Sequence, residues 1–174
     1  MNRPSPIFAF TVGALAGVAL AGCGRHNMAT PVAFTATITS VSPPAWSFSP
    51  ASVVDQYGNL NFTGKPGAKD VTITLHGPAG LAAPTFATPD TAALTGYIPD
   101  PHSPACSQPK SSSTVDSNEF QFKIIGFNSD RTSMTFRYMH NGVDPHGNSM
   151  ACNFYGLGAM VGTTPVPLDP IVHN

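Results

Sequence analysis

Apolar and small polar residues alternate along much of the chain. In the run VAFTATITSV, from Val32 to Val41, the period of two places Val32, Phe34, Ala36 and Ile38 on one face and Thr35, Thr37 and Thr39 on the other. That is the signature of a half-buried β-strand. Pro43-Pro44 ends it, and Trp46-Ser47-Phe48 spaces two aromatics for another short strand. Gly58-Asn59 marks a turn before Leu60-Asn61-Phe62, and Gly64-Lys65-Pro66-Gly67 is a strong breaker. Val71, Ile73 and Leu75 then alternate with Thr72 and Thr74 to predict a further strand. From Gly77 to Ser117 prolines recur, with a weak strand over Leu94–Ile98 and a long surface loop over Asp100–Ser117. Glu119–Phe127 carries Phe120, Phe122 and Ile124 on one face, with Gln121 and Lys123 opposite. Asn128-Ser129-Asp130-Arg131 supplies turn residues, and Ser133–His140 sets Met134, Phe136 and Tyr138 inward, so the two segments predict a β-hairpin. Asn141-Gly142 turns the chain again, and Ala151–Tyr155 predicts another strand.

Composition points the same way. The chain has 18 Pro and 16 Gly among 174 residues, and only 10% of its residues are charged. Proline costs a helix interior about 3 kcal/mol, so long helices are not expected. The reading is an all-β fold: an antiparallel β-sandwich of about seven short strands, immunoglobulin-like or cupredoxin-like, with one disulfide. The order of elements from Phe48 to Leu75, with the closing Asp169-Pro170-Ile171-Val172-His173-Asn174, resembles small bacterial β-sandwich proteins of the DP-EP type. That resemblance implies a fold and carries no activity with it.

The N-terminus has a different character. Arg3 precedes an uncharged apolar stretch from Ile7 to Ala21, the pattern of an export signal and short for a bilayer-spanning helix. Its end, Leu20-Ala21-Gly22-Cys23, resembles the lipobox of bacterial lipoproteins. The resemblance implies a diacylglyceryl group on the Cys23 thiol, cleavage before Cys23, and acylation of the new amino group. The chain then divides into a signal peptide over 1–22, a lipidated tether over 23–31, and the β-sandwich domain over 32–174. Gly24 stands where an Asp often retains such proteins in the inner membrane, so the expected location is the periplasmic face of the outer membrane.

Export changes the meaning of the other cysteines. With Cys23 lipidated, Cys106 and Cys152 remain in an oxidising compartment, where they are expected to pair. The bridge would close a loop of roughly 45 residues and contribute about 4 kcal/mol in the chain-entropy picture.

Candidate chemistry is sparse. A net charge of −1 without any Lys/Arg run offers no footprint for nucleic acid. A blue-copper centre needs two His and a Cys, and no His follows Cys152 at a suitable distance. Glu119 is the only glutamate, the aspartates are scattered, and no Gly-x-Ser-x-Gly elbow occurs, so neither a glycosidase pair nor a serine nucleophile is in view. No cofactor is expected. Trp46, Phe48, Tyr57, Tyr97 and Tyr155 could line a groove, although aromatics at strand spacing are more often core. The leading expectation is a non-enzymatic, membrane-anchored domain binding a protein or another envelope component through loops such as Asp100–Ser117; an immunity or inhibitor lipoprotein is one concrete version. The alternative is a metal-binding envelope protein using His140 and His146, with Asp144 between them as an oxygen ligand. An enzyme of unrecognised type is the third reading.

Overall fold

A computed structural model describes residues 29–98, 114–116, 119–143, 146–147, 151–168 and 170–173. The expected signal peptide, most of the tether and much of the Asp100–Ser117 segment lie outside these residues.

The protein is all-β, with its strands in two sheets. The first contains β1 (Thr30–Val41), β2 (Pro44–Ser49), β4 (Lys69–His76), β8 (Phe122–Phe127) and β9 (Ser133–Tyr138), in the order β2-β1-β4-β9-β8. The second has the path β3-β12-β10-β6-β7, from β3 (Leu60–Asn61), β6 (Leu94–Ile98), β7 (Thr114–Val115), β10 (Cys152–Val161) and β12 (Ile171–His173). Two more strands, β5 (Pro84–Phe86) and β11 (Thr164–Leu168), pair with β10.

The alternation of β1, β4 and β9 does what its period requires. Phe34, Ala36, Ile38, Val71, Ile73, Leu75, Met134, Phe136 and Tyr138 are all buried in one core. Tyr155 and Leu157 of β10 enter the same core from the second sheet. Rings join the sheets: Phe122 and Phe136 of the first sheet lie 6.1 and 6.0 Å from Tyr155 of the second between centroids, and Phe122 also lies 5.1 Å from Tyr138 within its own sheet. Tilted pairs at such distances add to burial by matching ring edges to ring faces.

Several expectations are corrected. Twelve strands are present among the described residues, not about seven, and a single helical turn, α1 (Asp90–Ala93), precedes β6. The sheets are not purely antiparallel: β1 runs parallel to β4, and β3 parallel to β12. The first parallel pair arises because β3 lies in the other sheet between β2 and β4, so the chain re-enters beside β1 in the same direction. Gln121 does not face solvent opposite Phe122; it is fully buried. The strand begins only at Phe122, after Glu119 takes a positive φ of 52°, so the alternation does not extend back through Gln121.

β10 was legible only in part, because Cys152–Leu157 is buried on both faces and carries no two-residue contrast. It pairs with β12 and then β11 at successive stretches, and with β6 and then β5. Pro165 and Pro167 of β11 are two residues apart, so their missing N–H groups fall on one edge of a strand that, among the described residues, pairs only with β10. At Gly158, an added Cβ would stand 2.0 Å from the Ala92 carbonyl oxygen. Glycine there lets α1 rest directly on the sheet.

Arg131, at the tip of the β8–β9 hairpin, ties the two sheets together. Its guanidinium donates to the carbonyls of Phe86 (3.3 Å) and Ala87 (2.8 Å), pairs with Asp90 (3.0 Å), and stacks 3.7 Å from the Phe127 ring centroid.

Candidate functional site

Two concave regions stand out. The first is a groove of about 480 Å³ between matching edges of the two sheets. One wall is β8, which pairs with β9 on one side only among the described residues. The other wall is α1, β6 and β7. Phe122, Leu94 and Ile124 supply apolar floor, and Val115 and Ile125 stand at the walls, each about half exposed (50% and 51%). β6 approaches closely because Gly96 has no side chain; a Cβ there would lie 2.5 Å from the Phe122 ring.

The acidic groups of the groove are already engaged. Asp90 pairs with Arg131, and Glu119 with Lys123 at 3.1 Å. The Asp116 carboxylate accepts hydrogen bonds from the backbone N–H groups of Phe120 (2.8 Å), Gln121 (2.7 Å) and Phe122 (3.0 Å). Three amides on one carboxylate pull the entry of β8 against β7. Behind them, the Gln121 amide donates to the Asn141 carbonyl (2.8 Å) and the Val143 carbonyl (3.2 Å), while Asn141 donates to the Phe120 carbonyl (2.8 Å). The groove is therefore apolar at its floor, has two of its three rim carboxylates paired with cations and the third hydrogen-bonded to backbone amides, and is held by an amide network around buried Gln121.

The second region surrounds Lys69. Lys69 shares the inward face of β4 with Val71 and is only 4% exposed. Its ammonium donates to the carbonyls of Pro66 (2.9 Å) and Gly67 (2.8 Å), and lies 6.0 Å from the Phe62 ring centroid. The Gly64-Lys65-Pro66-Gly67 breaker thus folds over a lysine, with Gly64 and Gly67 at positive φ. Counting back by two from Val71 would have found Lys69 on the core face; the expectation for β4 began at Val71. Phe62 stacks on Tyr138 at 5.9 Å, and the Tyr138 hydroxyl accepts from Asn153 Nδ2 at 2.9 Å. His140 packs edge-on to Tyr138 at 5.7 Å. Burial, and then the charge of Lys69, hold the His140 imidazole below its ordinary pKa and favour its neutral form.

The residues singled out in the sequence do not converge on one site. Cys23, Cys106 and Asp144 lie outside the described residues. Cys152 opens β10 and is buried. His146 is exposed, and no group of three or more His, Cys, Asp or Glu able to hold a metal occurs among the described residues. Of the Asp100–Ser117 segment, Thr114–Asp116 are described; Thr114–Val115 form β7 rather than loop, and Val115 and Asp116 line the groove. The five aromatics line none of the regions above. Trp46 and Phe48 stack on each other at 6.3 Å, Tyr57 is exposed, Tyr97 lies in β6, and Tyr155 is fully buried with its hydroxyl donating to the Gly58 carbonyl at 2.7 Å. Among the described residues no helix is long and apolar enough to cross a membrane.

The chain matches no family model, no curated protein and no solved structure in the comparisons made.

Proposed function

We propose that this chain is a lipid-anchored envelope protein whose non-enzymatic domain binds an extended apolar segment of a partner protein along the open edge of β8. The lipobox motif ending at Cys23 supports the anchor, and Gly24, in place of an Asp, supports its outer-membrane location. The two packed sheets support a β-sandwich of immunoglobulin-like or cupredoxin-like type. Lipidation of Cys23 leaves Cys106 as the partner for Cys152, and the burial of Cys152 away from solvent supports that disulfide.

One observation carries the binding reading: β8 presents an unpaired outer edge, among the described residues, onto an apolar groove flanked by exposed Val115 and Ile125. An incoming strand would satisfy backbone groups on that edge and bury alternate side chains on the floor. With Asp90 and Glu119 ion-paired and the Asp116 carboxylate taken up by three backbone amides, the apolar floor favours an uncharged segment.

The test is chemical cross-linking in intact cells, followed by purification of the tagged protein and amide-exchange measurement on the recovered complex. The wild type should recover one polypeptide in stoichiometric amount, with exchange slowed in β8. Ile125→Glu, on an exposed side chain, should lose both. Equal recovery and equal protection with Ile125→Glu would refute the groove as the binding surface. The metal-binding reading is separated by metal analysis of the purified protein: stoichiometric zinc or copper that disappears in His146→Ala would replace the present proposal. The anchor is tested by palmitate labelling, which should vanish in Cys23→Ala.

A further inference from the structure

We infer that Lys69 and Lys65 form a receptor for the phosphate of a membrane phospholipid headgroup, beside the point where the tether enters the fold. This inference rests on the lipid-anchor reading of Cys23 and is independent of the β8 groove.

The first observation is a buried ammonium, that of Lys69, held by carbonyls and without an ion pair among the described residues. An ammonium held away from water, as that of Lys69 is, is costly unless paired, and neither Lys69 nor the exposed Lys65 makes an ion pair among the described residues. Lys69 has two carbonyl acceptors for its three N–H donors. The second observation is space. Lys69 and Lys65 line a cavity of about 390 Å³ together with Thr30, Val32, Val53 and Phe62. An adjoining cavity of about 410 Å³ shares Lys65, Ser52 and Asn61 with it. The nearest acid in that lining, Asp55, is consumed locally: its carboxylate accepts from the Tyr57 and Asn59 backbone amides (2.8 and 2.9 Å) and from Asn59 Nδ2 (2.9 Å). Asp55 lines only the adjoining cavity, so in the 390 Å³ cavity itself an anion meets two cations and no carboxylate.

The third observation is place. Thr30 begins β1, is the register partner of Lys69, and lines the cavity itself. Only residues 24–29 separate it from Cys23, so the cavity lies within about 25 Å of extended chain from the lipidated sulfur. That reach includes the headgroup layer beside the lipidated cysteine, and the hydroxyls of Thr30 and Ser52 with the apolar Val32, Val53 and Phe62 suit a phosphodiester joined to a glycerol backbone. A bound headgroup would fix the domain's orientation on the membrane, which a lipid on a short tether leaves free.

The experiment uses the full chain extracted from membranes in non-ionic detergent and follows thermal unfolding with three probes: dioctanoyl phosphatidylglycerol, dioctanoylglycerol and inorganic phosphate. The phospholipid should raise the midpoint saturably, by about 5–10 °C at a hundredfold excess over its dissociation constant. Dioctanoylglycerol should not. Inorganic phosphate should act only at concentrations at least tenfold higher. Lys65→Ala, an exposed position that leaves the core intact, should weaken the phospholipid effect at least tenfold, and Lys69→Met should abolish it. An equal shift from dioctanoylglycerol, an equal potency of free phosphate, or an unchanged response in Lys65→Ala would each overturn the inference. Palmitate labelling of the same preparation keeps the two readings apart. Labelled protein without a phospholipid shift refutes the headgroup site alone; a phospholipid shift on unlabelled protein refutes the anchor.

Discussion

Replacing Gly158 with alanine tests the packing of α1 on β10, the contact that closes one end of the second sheet. The new methyl would meet the Ala92 carbonyl oxygen at 2.0 Å, its carbon at 3.1 Å, and the Ala87 Cβ at 3.3 Å. Relief requires a displacement of more than about 1 Å, since carbon–carbon contacts settle near 3.5–4.0 Å and carbon–oxygen contacts only slightly closer. Neither side yields easily. Gly158 is the register partner of Pro167, and its carbonyl accepts from Ala87 N at 2.9 Å. α1 runs straight into β6 and is tied to the hairpin tip by the Asp90–Arg131 pair. The substitution should therefore cost about 3 kcal/mol, the upper end of ordinary overpacking. In urea, with Trp46 fluorescence and far-ultraviolet dichroism as independent probes, the midpoint should fall by about 1–3 M for a slope of about 1–3 kcal/mol per molar. Gly126→Ala is the control, because nothing lies within 4 Å of its added Cβ; it should move stability by no more than about 0.5 kcal/mol. A Gly158→Ala protein that unfolds at the wild-type midpoint would refute the direct contact between α1 and β10.

Other substitutions probe the remaining polar contacts. Tyr155→Phe removes the hydroxyl that reaches the Gly58 carbonyl at 2.7 Å, and should destabilise by about 1–3 kcal/mol in the same assay. Burial, and then the charge of Asp55, push the Tyr155 pKa far above its ordinary range, so the folded state keeps the phenol neutral. Its contribution is full below the unfolded-state value near 10 and falls as pH rises above it; the wild type should lose stability there more steeply than Tyr155→Phe. His140 has the opposite dependence. Its folded pKa is depressed by burial and Lys69, so its contribution is full above the unfolded-state value near 6.5 and is lost as pH falls through the folded one. His140→Asn, which suits the positive φ of 53°, should show a smaller loss of urea stability between pH 7.5 and pH 5 than the wild type, and an identical loss would refute this account. Asp116→Ala frees three backbone amides and should cost about 2–3 kcal/mol, with faster amide exchange at Phe120–Phe122 as the local reading.

The strands that alternate were legible in the sequence. Phe34-Ala36-Ile38, Val71-Ile73-Leu75 and Met134-Phe136-Tyr138 face the core as their spacing requires, because the pleat of a strand is a local property of two-residue period. The all-β class and the Asn128–Arg131 turn followed from the same local chemistry. Tertiary structure alone decided which strands are neighbours. The parallel pairing of β1 and β4 depends on β3 lying in the other sheet, a non-local fact that no alternation encodes. β10 shows no alternation over Cys152–Leu157, since burial on both faces removes the contrast that alternation needs. Prolines hid β5 and β11, which tolerate them at the margins of the sheet. Neither concave region could be read from the chain. The groove joins β8 to β6 and β7 only because Gly96 admits the Phe122 ring and Asp116 gathers three amides. The Lys69 cavity exists because a glycine-bounded turn, legible locally as a breaker, closes over a lysine whose inward position is set by the strand that follows it.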